Sequence, residues 1–379
     1  MRILFTGGGT GGHFYPIIAV AEAIRGIEAQ QSITGLELVY VSDDPFDLNE
    51  LKRFNIRYVQ IKTGKIRTYA SIQNFFDLFR TFFALIQSVF KLFVLYPDVV
   101  LCKGGYASFP TVFAARLLRI PVIAHESDIV PGRVTTWIAP YAEKIAIAYP
   151  EVAELLPHKN RIALTGIPLR KEAILQNEQV GEADTIFALE PSIPILLVLG
   201  GSQGAEIINE NIMDSIVSLV DRYQIIHQTG SANFDWMKQR ASDTLSQNPH
   251  ASRYKPYPFL DLPLLRLAGS CATLVISRAG SMIFEIAIWK KPSIIIPLAI
   301  ARGDHQRANA YSYAHSGAAV VIEEQNLKPL LLVSIIDKLI TQTDQLAFMA
   351  ESTKAFTHVD AANIIATALI DVVIRHEHE

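Results

Sequence analysis

Three places in the sequence bring together residue types that can do chemistry. His13 directly follows the run Thr6-Gly7-Gly8-Gly9-Thr10-Gly11-Gly12, where it could take a proton from a hydroxyl held against the turn. His125-Glu126-Ser127-Asp128 gathers three ionisable groups just ahead of a Pro131-Gly132 turn. Glu285 lies one or two helical turns beyond Arg278-Ala279-Gly280-Ser281, placed to accept hydrogen bonds from two ribose hydroxyls. Each has a plainer reading: a histidine packed on its turn, a carboxylate capping a helix, a helix residue facing solvent.

The elements that must position these residues repeat one pattern. Ile3-Leu4-Phe5 reads as a buried strand that runs into the first glycines. Ile17, Ile18, Val20, Ala21 and Ile24 then recur at helical spacing, so a helix is expected to begin near Tyr15-Pro16. Strand, glycine turn and helix in that order gather unpaired backbone N–H groups at a positive helix end, which suits a phosphate. Gly7-x-Gly9-x-x-Gly12 also meets the dinucleotide fingerprint. The acidic residue expected about 20 positions on is missing, because Glu28 is too early and Asp43 and Asp44 are late.

The pattern returns at 98–108, where a strand meets Lys103-Gly104-Gly105-Tyr106, and at 195–204, where Gly200-Gly201-Ser202-Gln203-Gly204 follows a strand. It returns again at 273–281. Further strands are expected near 36–42, 56–61, 121–124, 144–148, 161–164, 223–228, 253–257, 293–298 and 320–323. The fold class is therefore α/β, with two Rossmann-like, doubly wound parallel-sheet domains facing across a cleft, and ligands expected at the carboxyl edges. Gly166-Ile167-Pro168 breaks the pattern. This suggests a domain over 1–165, a second over 166–345, and a C-terminal helix over 346–379 that could pack back on the first.

The totals agree. The chain has 379 residues, half of them hydrophobic and 19% charged, with a formal net charge of −3. That gives no bulk attraction for nucleic acid. Two distant cysteines, Cys102 and Cys271, argue against a disulfide framework or a zinc site and fit a reducing cytosol. Three apolar residues after Arg2 do not make a signal peptide. The stretch Phe75–Leu95 carries seven Phe, and Asp77, Arg80, Ala84, Gln87 and Lys91 fall on one narrow helical stripe. Packing on the sheet is expected for most of its side chains. The alternative is that Phe75, Phe76 and Phe79, with Lys62, Lys65, Arg67 and Arg80 nearby, dock on an anionic membrane surface.

The ordered set of stretches resembles the MurG family of GT-B glycosyltransferases. They are Gly8-Gly9-Thr10-Gly11-Gly12-His13, Gly104-Gly105-Tyr106, His125-Glu126, Gly166-Ile167-Pro168-Leu169-Arg170, Gly200-Gly201-Ser202-Gln203-Gly204, His227-Gln228-Thr229-Gly230, Ser277-Arg278-Ala279-Gly280 and His305-Gln306-Arg307-Ala308-Asn309-Ala310. The resemblance covers nearly the whole chain.

It implies transfer of N-acetylglucosamine, with inversion, from its UDP donor to the muramyl 4-hydroxyl of undecaprenyl-pyrophosphoryl-N-acetylmuramoyl-pentapeptide. The enzyme would work as a peripheral protein at the cytoplasmic face of the cell membrane. By the same resemblance, Ser202 and Gln203 would touch the donor pyrophosphate, Glu285 the ribose, Leu260 the uracil, and Gln306 and Asn309 the sugar. Thr10, Gly11, Gly12 and Arg170 would complete the donor pocket, together with Asp128, Ser281 and Met282. Gly12, Gly104, Gly105 and Tyr106 would serve the acceptor. His13 is the first choice of base and Glu126 the second.

No Asp-x-Asp pair occurs, so the usual sequence cue for a metal site is absent and no cofactor is called for. Many relatives carry Gln-Asn where this chain has Ser127-Asp128. The segment Arg278–Glu285 is one residue short of the common pattern, and Trp289-Lys290-Lys291 replaces a small, glycine-containing stretch. Other readings are another GT-B enzyme using a UDP-sugar, such as a lipid glycosyltransferase or a 2-epimerase, an NAD(P)-dependent oxidoreductase, and a non-catalytic nucleotide-binding module.

Overall fold

The computed structural model describes residues 1–8, 10–31, 33–64, 72–174, 180–200, 204–299 and 304–377, with the backbone alone at 72–76, 78, 180, 376 and 377. The chain divides into two units, Met1–Arg170 with His358–Glu379, and Lys171–Thr357.

The first unit is built on seven parallel strands: β1 Arg2–Thr6, β2 Glu37–Ser42, β3 Ile56–Gln60, β4 Val99–Cys102, β5 Val122–Glu126, β6 Lys144–Ile147 and β7 Ile162–Leu164. They lie in the order β3-β2-β1-β4-β5-β6-β7. The interior strands are continuous apolar runs because helices cover both faces of such a sheet. The order reverses between β1 and β4, whose residues Ile3 and Val99 pair in register. A crevice opens at such a point, beyond the carboxyl ends of the two strands. The helix Ala361–Glu377 packs on the helix Gly11–Gln31 and completes this core with Ile365, Leu369 and Val373.

The second unit repeats the plan with β8 Ile195–Leu199, β9 Gln224–Gln228, β10 Tyr254–Tyr257, β11 Leu274–Ser277, β12 Ser293–Ile295 and β13 Ala319–Val321. The order is β10-β9-β8-β11-β12-β13, and the reversal falls between β8 and β11. Trp289, in the stretch that departs from the family pattern, is a core side chain here. It is 2% exposed, lies against Gly269, and donates its indole N–H to the Ala173 carbonyl at 3.1 Å.

Two expectations need correction. The first helix begins at Gly11, not near Pro16, because the Thr10 carbonyl accepts from the N–H groups of both His13 and Phe14. His13 is therefore in the first helical turn, and Pro16 sits inside the helix.

The second correction concerns the Phe-rich helix, which spans Ile72–Leu95. Its inward side buries Asp77, Ala84, Ser88, Leu92 and Leu95, and the helix packs on the helix Phe109–Leu117. Phe79, Phe82, Phe83, Ile86, Phe90 and Phe93 face outward, each more than half exposed. Among the described residues, most of its large apolar side chains are thus not packed on the sheet. Phe75 and Phe76 are described by backbone only, and Lys65 and Arg67 lie outside the described residues.

Candidate functional site

In the first unit, the turns after β1, β4 and β5 meet at the switch point. Gly104 and Gly105 have φ of +86° and +82°, which only glycine adopts without strain. A Cβ on Gly105 would stand 2.7 Å from the Gly8 carbonyl oxygen and 3.4 Å from His13 Nδ1, so the two glycine turns and the histidine are in close packing.

His13 Nδ1 lies 3.0 Å from the Gly8 carbonyl oxygen and 3.4 Å from Thr10 Oγ1. A carbonyl can only accept, so Nδ1 carries the proton and Nε2 presents the lone pair. Burial, then the charge of Lys103, push the imidazole down to about 4, against an opposing pull from Asp128 and the Gly8 bond. A neutral ring with a fixed tautomer is a proton acceptor at any pH above that value.

Glu126 ends β5 and is 6% exposed. Its Oε1 accepts from the N–H groups of Ser127 at 3.0 Å and Asp128 at 3.2 Å, and its Oε2 from that of Gly132 at 2.9 Å. The carboxylate therefore organises the loop after β5. Tyr106 donates its hydroxyl to Asp43 at the end of β2. Arg170 lays its guanidinium 4.1 Å above the ring of Tyr15, on the first helix.

Lys103 was not singled out from the sequence as a site residue. It is 3% exposed, and its ammonium donates to Ser127 Oγ at 2.9 Å. The available signal was a lysine standing directly between a buried strand and a glycine pair.

In the second unit, Gly204 has φ of +77°, and a Cβ there would meet the Thr229 carbonyl oxygen at 2.5 Å. Ser202 and Gln203 lie outside the described residues. His227 holds the frame. Its Nε2 donates to Asn209 Oδ1 at 3.0 Å, its Nδ1 accepts from the Tyr254 hydroxyl at 3.1 Å, and burial pushes it down to about 3.

Gln228 Oε1 accepts from the Leu260 N–H at 3.0 Å, and Leu260 is 1% exposed. Ser281 and Met282 sit half-buried at the start of the helix Met282–Ile288, with Glu285 half-buried in its first turn. Gln306 Oε1 accepts from the Leu298 N–H at 3.1 Å. Asn309 is 1% exposed and donates to the Ala279 carbonyl at 3.2 Å. Arg278 is bound to Glu324 at 2.7 Å and to the Ile296 carbonyl at 3.2 Å.

The structure thus brings His13, Gly104, Gly105, Glu126 and Asp128 to one edge. It gathers Ser281, Met282, Glu285, Gln306 and Asn309 on the turns around β11 and β12.

Comparison with known proteins points the same way. Residues 3–147 match the glycosyltransferase family 28 N-terminal domain, and residues 195–365 match the family 28 C-terminal domain. A Treponema denticola protein named UDP-N-acetylglucosamine--N-acetylmuramyl-(pentapeptide) pyrophosphoryl-undecaprenol N-acetylglucosamine transferase is 35% identical, over 97% of this chain and 96% of its own. A Clostridium novyi protein of the same name is 32% identical, over 95% and 96%. The solved structure of Acinetobacter baumannii MurG superposes with a TM-score of 0.72 at 24% identity, over 98% of this chain and 99% of that one. The UDP-GlcNAc 2-epimerase of Neisseria meningitidis, solved with UDP-GlcNAc bound, gives 0.68 at 17%, over 98% and 100%. The two solved structures establish a shared GT-B fold.

Proposed function

We propose the reaction of this chain from its family: it belongs to the MurG family of glycosyltransferases. It moves N-acetylglucosamine from UDP-N-acetylglucosamine to the undecaprenyl-linked muramoyl-pentapeptide acceptor, the step from lipid I to lipid II in peptidoglycan synthesis.

The first unit serves the acceptor and the second the donor. The muramyl 4-hydroxyl attacks the anomeric carbon of the donor sugar from the face opposite UDP. The O–C bond forms as the bond to the UDP oxygen breaks, and the configuration inverts. His13 Nε2 takes the hydroxyl proton. The observation that carries this role is the Nδ1 bond to the Gly8 carbonyl, which fixes the ring as a neutral acceptor beside two glycine turns. Glu126 shapes the loop opposite, its two oxygens accepting three backbone N–H groups, and stands second to His13 as the base.

The N–H groups of Gly11 and Gly12 at the open helix end, with those of the 104–105 turn, suit the acceptor pyrophosphate. On the donor side Glu285 holds the ribose, and Gln306, Ser281 and Met282 meet the sugar. Ser202, Gln203 and Arg170 take the charge gathering on UDP. Asn309 contributes by fixing the Ala279 turn.

The enzyme works at the cytoplasmic face of the cell membrane. Six large apolar side chains on one face of the helix Ile72–Leu95 leave roughly 600 Å² of apolar surface in water. Arg80 and Lys62 stand exposed near it. The helix packed beside it exposes Leu117, and Phe113 stacks with Trp137 while Phe109 meets it edge-on; Trp137 in turn meets the half-exposed Tyr141. Apolar residues ringed by aromatic and basic ones suit an anionic bilayer interface.

The test is transfer of radiolabelled N-acetylglucosamine to a lipid I analogue by wild type and by His13→Asn. Wild type forms lipid II and the variant loses at least about a hundredfold in kcat. Conversion of the donor to its 2-epimer without transfer refutes the reading.

A further inference from the structure

We infer that Tyr15 is a positioning residue: its ring face holds the Arg170 guanidinium and leaves that group's N–H donors for the charge gathering on UDP. The inference rests on the reading of Arg170 as a group that takes this charge. Both residues belong to the first unit, and both are half-buried. The guanidinium carbon stands 4.1 Å from the centroid of the Tyr15 ring. Among the described residues, no carboxylate or carbonyl takes the Arg170 N–H groups. Arg25, Arg253 and Arg278 differ, since each spends its donors on a carboxylate and a backbone carbonyl. A guanidinium is flat, delocalised and weakly hydrated, so it settles on the negative face of a ring. That contact leaves open the fork of donors that matches a phosphate.

The Tyr15 ring is itself held. Phe14 meets it at 5.5 Å with the ring planes at 71°, and Phe46 meets it at 5.8 Å and 87°, both edge-to-face arrangements. Phe46, in the loop after β2, has φ of +59°, which a bulky residue keeps only when its surroundings hold it there. Asp44 Oδ1 accepts the Phe46 N–H at 2.7 Å and helps to hold it. Gly11 makes room for both rings: a Cβ there would stand 3.2 Å from Tyr15 Cε2 and 3.3 Å from Phe46 Cζ. The open end of the helix Gly11–Gln31 therefore carries a clamped aromatic face, and Arg170 lies on it. An arginine already laid on a fixed ring has given up part of its rotamer freedom before an anion arrives.

The experiment measures transfer to a lipid I analogue by the full chain with a series of rings at position 15: Tyr15→Phe, then successively fluorinated phenylalanines. Fluorine draws charge from the ring face and leaves the ring nearly the same size. Tyr15→Phe keeps kcat within about twofold of wild type, because it keeps the face. Along the fluorinated series kcat falls stepwise by about tenfold in all, the weight of a partly desolvated cation on a ring. KM for UDP-N-acetylglucosamine stays within about threefold, since the charge that Arg170 meets develops in the transition state. The urea midpoint does not move. Tyr15→Leu, which has no ring, loses about tenfold in kcat or more. In an Arg170→Met background the same changes at position 15 alter kcat by less than about twofold, because no cation is left to hold.

A flat fluorinated series overturns the inference. So does an equal loss in the wild-type and Arg170→Met backgrounds, which would make Tyr15 a packing residue for Phe14 and Phe46. If Tyr15→Leu does not fold, the fluorinated series decides alone, because it preserves the volume of the ring. Failure of the underlying reading looks different: Arg170→Met then transfers at the wild-type rate, whereas an inference that fails by itself leaves Arg170→Met impaired and the ring series flat.

Discussion

Replacing Phe83 and Phe90 together by Ser separates membrane docking from folding. The two rings are 66% and 69% exposed, on the outward face of the helix Ile72–Leu95. A phenylalanine side chain offers about 200 Å², so each presents about 130 Å² to solvent. At about 25 cal/mol per Å² that is about 3 kcal/mol for complete withdrawal from water. A helix lying in the interface sinks only part of the way, so about half is realised, or about 3 kcal/mol for the pair. That corresponds to about a hundredfold weaker partition into the membrane. The folded state loses little, because neither ring belongs to the core and exposed substitutions stay within about 0.5 kcal/mol. Cosedimentation with vesicles containing anionic lipid measures the first quantity, and the urea midpoint measures the second. Vesicle binding within threefold of wild type refutes the reasoning. So does a fall in binding matched by a fall in urea midpoint, which would mean that the rings support the fold.

Three further outcomes follow from the same geometry. Because His13 is held near 4, kcat/KM for transfer stays level from pH 8 down to about 5 on the base limb, and an acid limb centred near 6.5 contradicts the role given to that ring. Glu285→Ala raises KM for UDP-N-acetylglucosamine by about 10- to 100-fold, the value of hydrogen bonds to a charged group, while affinity for an acceptor analogue stays put; an unchanged donor KM places the ribose elsewhere. His227 is neutral in the fold with its midpoint near 3, against about 6.5 in the unfolded chain, so its contribution is complete above pH 6.5 and fades as pH falls toward 3, by about 1.4 kcal/mol per unit. Urea unfolding of His227→Gln at pH 7, 6, 5 and 4 gives a shallower loss than wild type, and parallel curves remove His227 from the account of acid sensitivity.

The interior strands were legible because a parallel sheet covered on both faces needs unbroken apolar runs, and several of them end in glycine or another turn residue. The start of the first helix was not, since Gly11 and Gly12 are poor helix formers and Pro16 imitates a first-turn residue. The Thr10 carbonyl, which captures two N–H groups, decides the matter, and no side chain announces it. The helix Ile72–Leu95 was legible in period but not in direction. Spacing placed Asp77, Ala84 and Lys91 on one side and the phenylalanines on the other. The usual rule sends the apolar side of a helix in. Here Asp77 and Ser88 go in, and Phe83 and Phe90 go out.

The site residues divide along a line that spacing cannot draw. A turn that presents several backbone N–H groups to an anion must leave them unpaired on the ligand side, and its remaining backbone groups still need partners. Polar side chains close to the same turn supply them: Glu126 for the loop after β5, Asn309 for the Ala279 carbonyl, Gln228 for the Leu260 N–H, and Arg278, with Glu324, for the end of β12. Such residues stand in the same short motifs as those that meet substrate, because both are set by distance from the strand's carboxyl end. A motif therefore locates the edge where chemistry happens and selects residue types that can hydrogen-bond there. Whether a given carboxylate or amide faces the ligand or the loop depends on which backbone groups the turn leaves over. For His13 the answer lies in one carbonyl, that of Gly8, which occupies Nδ1 and leaves Nε2 as the proton acceptor.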